Sequence, residues 1–318
     1  MNVGFTTSLK GQNILVTGGS GFIGSHLISF LSSQDAKVHA LIFSREANAQ
    51  NLWKFKTKSI KYYKCSLLNF RDLNTIVKFI KPVKIIHLGS LVDLNRSFQI
   101  ARRVIHTNIE GTLNLLESLR NVPFDLFVYA SSVEVYGNGP IPFRENQREV
   151  PPSPYAISKL AGEHFINFYS KIYNYPISIL RLSTCYGPGQ NKNKLIPSII
   201  KSALASRPIK VGQTNQNRNF IYIKDLIKAM GKVLVKPKAI NEILNIGNEE
   251  SISIEKIIES IKILTGSNSL VLAGSVPNRE QEIQNWDIST VKTKKILGWK
   301  ASTPLKKGLK ETISWYQG

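Results

Sequence analysis

Residues 13–24 read NILVTGGSGFIG, and this stretch decides the fold class. A short apolar, strand-like run leads directly into the spacing Gly18-x-x-Gly21-x-x-Gly24, and a helix-like run follows. Gly18 permits a sharp turn, Gly21 lets the backbone approach a pyrophosphate, and Gly24 lets the helix pack close to the strand. Free N–H groups at the helix N-terminus favour phosphates. A merely structural glycine-rich turn would not need this strand and helix, so we expect a dinucleotide site.

Strand-like and helix-like segments alternate over roughly the first half of the chain, which predicts a parallel sheet with right-handed crossovers. Such a sheet binds ligands at the carboxyl ends of its strands. The predicted strands are 13–17, 38–43, 60–65, 84–88, 126–131 and 177–182, and the predicted helices are 22–31, 71–80, 104–119 and one after Pro154.

Beyond Tyr186 the sequence becomes polar and loop-rich, with two short helical stretches at 224–235 and 254–264. The fold class is therefore predicted to be α/β, with a doubly wound parallel (Rossmann) sheet and a smaller C-terminal α/β domain. We expect residues 1–180 to form the dinucleotide-binding domain, with segments near 221–247 returning to it. Residues 181–318 are expected to form mainly the substrate-binding domain.

Composition narrows the functional classes. The chain has 318 residues, a formal net charge of +21 and two cysteines, Cys65 and Cys185, whose separation suits neither a metal site nor a disulfide framework. No apolar run has signal-peptide or membrane-helix length, so we expect a cytoplasmic protein without a membrane partner. The lysines are scattered rather than clustered, which argues against a nucleic-acid partner and fits, in part, a diphosphate substrate.

A candidate catalytic set follows the fifth predicted strand. Tyr155 and Lys159 lie four residues apart at a helix start and thus share a helical face. The Tyr-x-x-x-Lys spacing alone occurs by chance, but Ser132 at the end of the preceding strand supplies context. We expect Tyr155 to move a proton on a sugar oxygen. We expect Lys159 to lower the pKa of Tyr155 and to hold the nicotinamide ribose.

Further motifs occur in order along nearly the whole chain. They are TGGSGFIG (17–24), HLGS (87–90), NIEGTLNLLE (108–117), YASSVEVYG (129–137), PYAISKLAGE (154–163), RLSTCYGPGQ (181–190), RNFIYIKD (218–225), LNIG (244–247) and LGW (297–299). In these motifs the chain resembles the extended short-chain dehydrogenase/reductases that act as nucleotide-sugar epimerases, dehydratases and reductases.

The resemblance implies roles for individual residues. Ser132, Tyr155 and Lys159 would be catalytic, together with Glu134, and Asn108 would support the catalytic helices. Substrate would be a nucleotide-diphosphate sugar, and relatives dimerise through helices that here are 104–119 and 154–173. The implied substrate-binding residues are Ser132, Thr184, Arg218 and Arg279, where Thr184 replaces a common Asn. The implied cofactor-binding residues are Gly18, Gly21, Phe22, Ile23, Gly24, Ser44, Arg45, Ser66, Leu67, Leu88, Gly89, Tyr155 and Lys159.

The residues after the second strand bear on the cofactor. Relatives specific for NAD usually place an acid there for the ribose hydroxyls, whereas this chain has Ser44 and Arg45. Without that carboxylate a 2′-phosphate meets no repulsion, and Arg45 can bind it, although a solvated surface arginine is the alternative. We expect NADP(H) rather than NAD(H). Ser66 stands where many relatives carry an adenine-binding Asp.

Glu134 bears on the reaction. It lies two residues before Tyr136, so in an extended segment it would point to the same side as Ser132. Dehydratases and decarboxylases of the family have a Glu near sugar carbons 5 and 6, but dehydratases tend to add an acid or polar residue before it, where this chain has Val133. Some 4-keto-6-deoxyhexose reductases have the same Ser-x-Glu. A structural role in anchoring a loop is the alternative.

Three functions follow from these residues. The first is NADPH-dependent reduction of a nucleotide-activated 4-keto-6-deoxyhexose to the 4-hydroxy sugar. The second is a redox-neutral 4-epimerase or 4,6-dehydratase with tightly bound NAD. The third, a non-catalytic binding protein that senses NADP(H) or holds a partner, is disfavoured by the complete Ser132, Tyr155 and Lys159 set.

Overall fold

The structure is a computed structural model that describes residues 6–43, 60–277 and 282–318. Its strands are β1 (Asn13–Thr17), β2 (Lys37–Ile42), β3 (Ile60–Lys64), β4 (Lys84–His87), β5 (Leu126–Ser132), β6 (Ile177–Leu182), β7 (Thr184–Tyr186), β8 (Ile209–Lys210), β9 (Asn217–Arg218), β10 (Phe220–Tyr222), β11 (Glu242–Ile246), β12 (Ile252–Ser253) and β13 (Val271–Leu272).

The helices pack on both faces of the main sheet. They are α1 (Phe22–Ser33), α2 (Phe70–Ile80), α3 (Phe98–Val104), α4 (Gly111–Ser118), α5 (Pro154–Tyr173), α6 (Leu195–Leu204), α7 (Ile223–Val235), α8 (Ile254–Thr265), α9 (Val291–Leu297) and α10 (Leu305–Gln317). A π-helical segment, Ile105–Glu110, joins α3 to α4.

Seven strands form one parallel sheet in the order β11-β6-β5-β4-β1-β2-β3. The strand order reverses at β1 and β4, and in doubly wound sheets the crevice at this point binds the ligand. The predicted doubly wound parallel sheet is confirmed. Short two-stranded ladders, β7 with β10, β9 with β12 and β8 with β13, lie outside the main sheet.

The sheet is stable because its central strands are apolar on both faces. In β1, Ile14 and Val16 join one apolar cluster with α1 and α7, whereas Leu15 joins another with α2, α4 and α5. Successive side chains of a strand point to opposite faces, so each face is covered by its own helices. The first cluster continues into α6, α8 and α10.

The helix that carries Tyr155 begins where the sequence dictates. Ser153 is the N-cap, and its Oγ accepts a hydrogen bond of 3.1 Å from the backbone N–H of Ala156. Pro154 occupies the first helical position, where its missing N–H is not needed. These two residues fix the start of α5 and so place Tyr155 in its first turn.

Two local predictions differ from the structure. The helix predicted over 104–119 begins earlier, at Phe98, because Ser97 caps it through a 3.3 Å bond from Ile100 N–H. The segment Val133–Tyr136 is a 3₁₀ turn rather than extended. Among the described helices none combines the length and apolarity that a membrane crossing requires.

Candidate functional site

A cavity of about 520 Å³ lies at the carboxyl ends of the central strands. The glycine loop after β1 forms one part of its wall, and the ends of β5 and β6 with the start of α5 form another. Its lining includes the following residues predicted from the sequence: Gly18, Gly21, Phe22, Ile23, Gly24, Leu88, Ser132, Glu134, Tyr155, Lys159, Thr184 and Arg218. The structure therefore brings these twelve predicted residues together in one space.

The glycine loop has the shape that a pyrophosphate requires. Gly18 has φ +69°, and a Cβ at this position would lie 2.9 Å from the backbone nitrogen of Gly89. A Cβ on Gly24 would overlap the carbonyl oxygen of Gly18. Gly21 is the N-cap of α1 and has no capping side chain, so the first N–H groups of the helix remain open to a ligand. This cradle fits a dinucleotide.

The loop after β4 supports the glycine loop from behind. The N–H of Gly89 donates a 2.9 Å bond to Thr17 Oγ1. Leu67 packs against Gly89, and its carbonyl accepts a 2.9 Å bond from Asn114 Nδ2. Leu88 reaches the cavity, whereas Ser66, Leu67 and Gly89 are not among its lining residues. Ser44, Arg45 and Arg279 lie outside the described residues.

Tyr155 and Lys159 are both almost fully buried, at 8% and 3% exposure. The Lys159 Nζ donates a 2.7 Å hydrogen bond to the carbonyl oxygen of Ala130 and lies 5.9 Å from the centre of the Tyr155 ring. It is closer to the Tyr129 ring, at 4.9 Å. The ammonium is thus anchored to the end of β5, beside the phenol but not bonded to it.

The electrostatics of this pair differ from the sequence-based expectation. Burial raises the pKa of Tyr155, the charge of Glu134 raises it further, and a hydrogen bond with Ser132 lowers it. Burial lowers the pKa of Lys159 to about 7, and the carboxylate of Glu163 opposes this effect. The net pKa of Tyr155 is therefore raised where the sequence predicted a lowered value, because burial outweighs the attraction of the Lys159 ammonium, which bonds to Ala130 and not to the phenol.

Glu134 lines the cavity because it lies in a 3₁₀ turn, and not because side chains alternate along a strand. Ser132 caps the 3₁₀ turn by accepting a 3.2 Å bond from the N–H of Glu134, so the argument from an extended segment is wrong. The Ser153 hydroxyl donates a 2.7 Å bond to Glu134 Oε1. Glu134 therefore anchors the start of α5 and also presents a carboxylate beside Tyr155.

The far end of the cavity carries Thr184 and Arg218. The Thr184 N–H donates a 3.1 Å bond to the carbonyl of Asn219, which ties β7 to the segment that carries Arg218. The guanidinium of Arg218 forms an ion pair with Glu282 and lies 5.6 Å from the centre of the Trp286 ring. A planar guanidinium held in this way suits a phosphate.

Sequence reasoning missed a buried ionic cluster beneath the catalytic residues. Arg181 is fully buried, its Nη2 lies 2.7 Å from Glu163 Oε2, and it also forms an ion pair with Glu149. The Ser131 hydroxyl donates to Glu163 Oε1 at 2.5 Å. One signal was available: Glu163 follows Lys159 by four residues, so the two share a helical face. The partner Arg181 is not evident from spacing.

Both cysteines are buried, and burial raises the pKa of each thiol. Cys185 lines the cavity, whereas Cys65 does not. Among the described residues no group of three or more His, Cys, Asp or Glu side chains is placed to hold a metal ion.

Comparison with known proteins agrees with this geometry. Residues 15–312 match the family model described as GDP-mannose 4,6 dehydratase. The human dTDP-D-glucose 4,6-dehydratase is 32% identical over 326 residues, covering 96% of this chain and 90% of the relative. The UDP-glucuronate 4-epimerase of Thermodesulfobacterium geofontis is 32% identical over 310 residues, covering 95% of each chain.

A solved structure shows the same fold. The UDP-glucuronic acid 4-epimerase from Bacillus cereus, in complex with UDP-glucuronic acid and NAD, superposes with a TM-score of 0.88 at 30% identity, covering 96% of this chain and 98% of that one. The chain therefore belongs to the GDP-mannose 4,6-dehydratase family of extended short-chain dehydrogenase/reductases. It is an enzyme of the nicotinamide-dependent nucleotide-sugar class, as the resemblance implied.

Proposed function

We propose that this enzyme is a redox-neutral nucleotide-sugar 4-epimerase that retains NAD through its turnovers. The observation that carries the proposal is the single cavity in which the glycine cradle and Ser132, Tyr155 and Lys159 meet. The names of the relatives, dehydratases and epimerases, favour this alternative over the NADPH-dependent reduction that the sequence first suggested.

The site can accept both the hydride and the proton that leave the sugar. Oxidation of a C4 alcohol removes a hydride from carbon and a proton from oxygen. The bound nicotinamide supplies a reversible hydride acceptor. The Tyr155 oxygen takes the proton at O4 and returns it when the carbonyl is reduced, and the Ser132 hydroxyl donates a hydrogen bond to that oxygen. Reduction of the 4-keto sugar on its opposite face gives the epimer.

Lys159 prepares the site for this proton movement. Its ammonium lies 5.9 Å from the Tyr155 ring centre, and a positive charge at that distance favours the phenolate against the burial that disfavours it. The pKa of Lys159, lowered by burial to about 7, makes this charge sensitive to pH near neutrality. The resemblance to the family implies that the Lys159 side chain also holds the nicotinamide ribose.

The number of carboxylates in the cavity distinguishes epimerisation from 4,6-dehydration. Elimination of water across C5 and C6 needs a base for the C5 proton and an acid for the leaving hydroxyl. Among the described lining residues Glu134 is the one carboxylate, and Val133 precedes it. We therefore place epimerisation first. The position of Glu134 beside Tyr155 keeps 4,6-dehydration as the second candidate.

The cofactor proposal is NAD rather than NADP. The B. cereus neighbour is described with NAD, and a redox-neutral cycle needs no exchange with the NADPH pool. The residues on which the NADP expectation rested, Ser44 and Arg45, lie outside the described part of the chain. Co-purified nucleotide, released by acid and identified by mass spectrometry, tests this choice directly.

One assay separates the candidate reactions. The purified enzyme is incubated without added cofactor with UDP-glucose, UDP-glucuronic acid, UDP-N-acetylglucosamine and dTDP-glucose in deuterated water. Epimerisation gives a product of unchanged mass with no deuterium on carbon. Dehydration gives a product lighter by one water that carries solvent deuterium at C5. Stoichiometric NADPH consumption with a nucleotide-activated 4-keto-6-deoxyhexose, with none of these four sugars converted, would contradict the redox-neutral proposal.

The variant Tyr155→Phe tests the assignment of Tyr155 as the proton carrier. It retains the ring and the burial of the side chain but removes the proton carrier, so we expect turnover to fall by about 10²–10⁴-fold while bound nucleotide is retained. Unchanged turnover in this variant would remove the assignment of Tyr155. Absence of turnover in the wild-type protein with every sugar nucleotide tested would revive the non-catalytic alternative.

We further propose a homodimer. Apolar side chains form an exposed stripe along α5 at Ile157, Phe168 and Ile172, which are 53%, 53% and 57% exposed, and Phe98 on α3 is 77% exposed. α5 is one of the two helices that the resemblance implies for dimerisation, and α3 leads into the other, 104–119. The exposed apolar surface of both is unfavourable in water. Light scattering should give the mass of two chains, and Phe168→Asp with Ile172→Asp should give the mass of one.

The division of labour along the chain also remains a proposal. We propose that residues 1–180, with segments near 221–247, bind the dinucleotide and that residues 181–318 mainly bind the sugar nucleotide. The participation of β11 in the main sheet and the location of Thr184 and Arg218 at the far end of the cavity support this division.

A further inference from the structure

A buried hydrogen-bond chain passes through His87, a residue that the proposed chemistry does not use. His87 ends β4 and is 1% exposed. Its Nδ1 lies 2.6 Å from Thr17 Oγ1, and its Nε2 lies 2.9 Å from Thr112 Oγ1. Both threonines are also buried, so these groups have no access to bulk water.

The donors and acceptors around His87 determine which ring nitrogen carries the proton. The Thr112 hydroxyl donates its one proton to the carbonyl of Asn108 at 2.5 Å, so toward its other neighbours, His87 and the Tyr129 hydroxyl, its oxygen accepts. Nε2 therefore carries a proton. Burial and the charge of Lys159 lower the pKa of His87 to about 3, so the ring is neutral and Nδ1 accepts from the Thr17 hydroxyl.

The chain extends to the two functional loops. At one end Thr17 Oγ1 accepts from the N–H of Gly89, whose backbone packs against Gly18 of the cradle. At the other end Asn108 holds Leu91 and donates a 2.8 Å bond from Nδ2 to Ser158 Oγ.

The last link reaches the catalytic helix. The Ser158 hydroxyl donates a 2.7 Å bond to the backbone carbonyl of Tyr155. An unbroken series of hydrogen bonds thus connects the loop that backs the cofactor cradle with the residue that we propose to move the proton. Asn108 Nδ2 donates to both Leu91 and Ser158, and the hydroxyls of Thr112 and Ser158 each donate to a backbone carbonyl.

We propose that His87 is a positioning residue that, as the neutral Nε2–H tautomer, fixes the loop behind the glycine cradle relative to the helix carrying Tyr155. The effect on turnover rests on the proposed function, whereas the tautomer does not. A histidine that only fills space in the core would not depend on the hydroxyl groups of Thr17 and Thr112. This difference defines the test.

The first measurement is the tautomer. The enzyme, labelled with ¹⁵N-histidine, is studied by NMR, and the His87 signals among those of the five histidines are assigned through their loss in His87→Gln. We expect Nε2–H at pH 7. Thr112→Val removes the acceptor of that proton, so the proton should move to Nδ1, while Thr112→Ser should keep the wild-type tautomer.

The second measurement is the division between kcat and KM. Loss of one buried hydrogen bond that orients Tyr155 should lower kcat about 5–20-fold in Thr112→Val and Thr17→Val, with little change in the KM for the sugar nucleotide. The serine variants should recover most of the loss. Thr312→Val is the matched control, because Thr312 is equally buried on α10 and its hydroxyl donates to the carbonyl of Gly308 on the same helix.

The outcomes separate failure of this inference from failure of the proposed function. An Nδ1–H or charged His87 in the wild-type protein, or a Thr112→Val variant with unchanged tautomer and kcat, would overturn the positioning role. If no sugar nucleotide is turned over, the NMR result and the affinity for NAD measured by calorimetry still test it. We then expect about 5–20-fold weaker NAD binding in Thr17→Val and wild-type binding in Thr312→Val.

Discussion

Replacement of Glu163 by glutamine should shift the pH dependence of turnover. Glu163 lies one helical turn after Lys159 on α5, and Arg181 and Ser131 hold its carboxylate in place. Glutamine retains the size and an oxygen that can accept from Ser131. The substitution therefore removes the charge near Lys159 with little change of packing.

The size of the shift follows from the geometry. Side chains four residues apart on a helix lie about 6 Å apart, and with an effective dielectric constant of about 20 two unit charges at that distance interact by about 3 kcal/mol. This would correspond to about two pKa units. Arg181 keeps its charge in both proteins and so does not enter the difference, and we expect the pKa of Lys159 to fall by about two units.

The sign is determined by the charge removed. Glu163 favours the ammonium form of Lys159, whose pKa is about 7, so its loss lowers that pKa further. Since the protonated lysine supports the Tyr155 phenolate, activity falls as pH rises through the lysine pKa. The alkaline limb of kcat/KM should move about two units to lower pH in Glu163→Gln. NMR of ¹³Cε-labelled lysine should give the same displacement for Lys159 itself.

Glu149, which also pairs with Arg181, provides a matched control. The other titratable groups near Lys159 are Tyr155 and Tyr129, whose pKa values burial raises, and His87, which is neutral. Glu149 shares Arg181 but is not among the groups that act on Lys159, so Glu149→Gln should leave the limb in place. An unmoved limb in Glu163→Gln, or an equal shift in both variants, would refute the reasoning.

Three further predictions concern the same site. Gly24→Ala places a methyl group against the Gly18 carbonyl, so we expect about 1–3 kcal/mol lower unfolding free energy and loss of co-purified nucleotide; normal nucleotide content would contradict the cradle. Lys159→Met removes an ammonium whose pKa burial lowers to about 7. It should therefore raise the unfolding free energy by up to about 5 kcal/mol at pH 6, less the cost of the lost bond to Ala130, with the gain shrinking from pH 7 to pH 10, where the lysine of the unfolded chain also becomes neutral; a constant gain would exclude this cause. Glu134→Gln should retain turnover within about tenfold for epimerisation, whereas a loss of 10²-fold or more would favour dehydration.

The sequence predicts the parts of the site that depend on local pattern. The glycine spacing, the Tyr155 and Lys159 pair on one helical face, and Ser132 at a strand end all follow from short-range geometry. The alternation of segments then predicts the parallel sheet that brings these parts to one edge. Local pattern is sufficient here because each feature is defined within a few residues.

The sequence does not predict what burial and long-range contacts decide. The pKa direction of Tyr155 depends on how deeply the phenol is enclosed, which spacing does not show. The placement of Glu134 depends on a turn that Ser132 caps, where an extended strand was expected. The pairing of Arg181 with Glu163 joins β6 to α5 and becomes visible only when the sheet is assembled.

The rates at which the two buried cysteines are alkylated can report whether a ligand occupies the cavity. Alkylating reagents attack the thiolate, which burial disfavours at both Cys65 and Cys185, so labelling should report transient opening of the chain. A sugar nucleotide seated in the cavity would shield Cys185 from iodoacetamide while leaving the rate at Cys65 unchanged. The ratio of the two rates, followed by mass spectrometry of peptides, would then measure substrate affinity without any engineered probe.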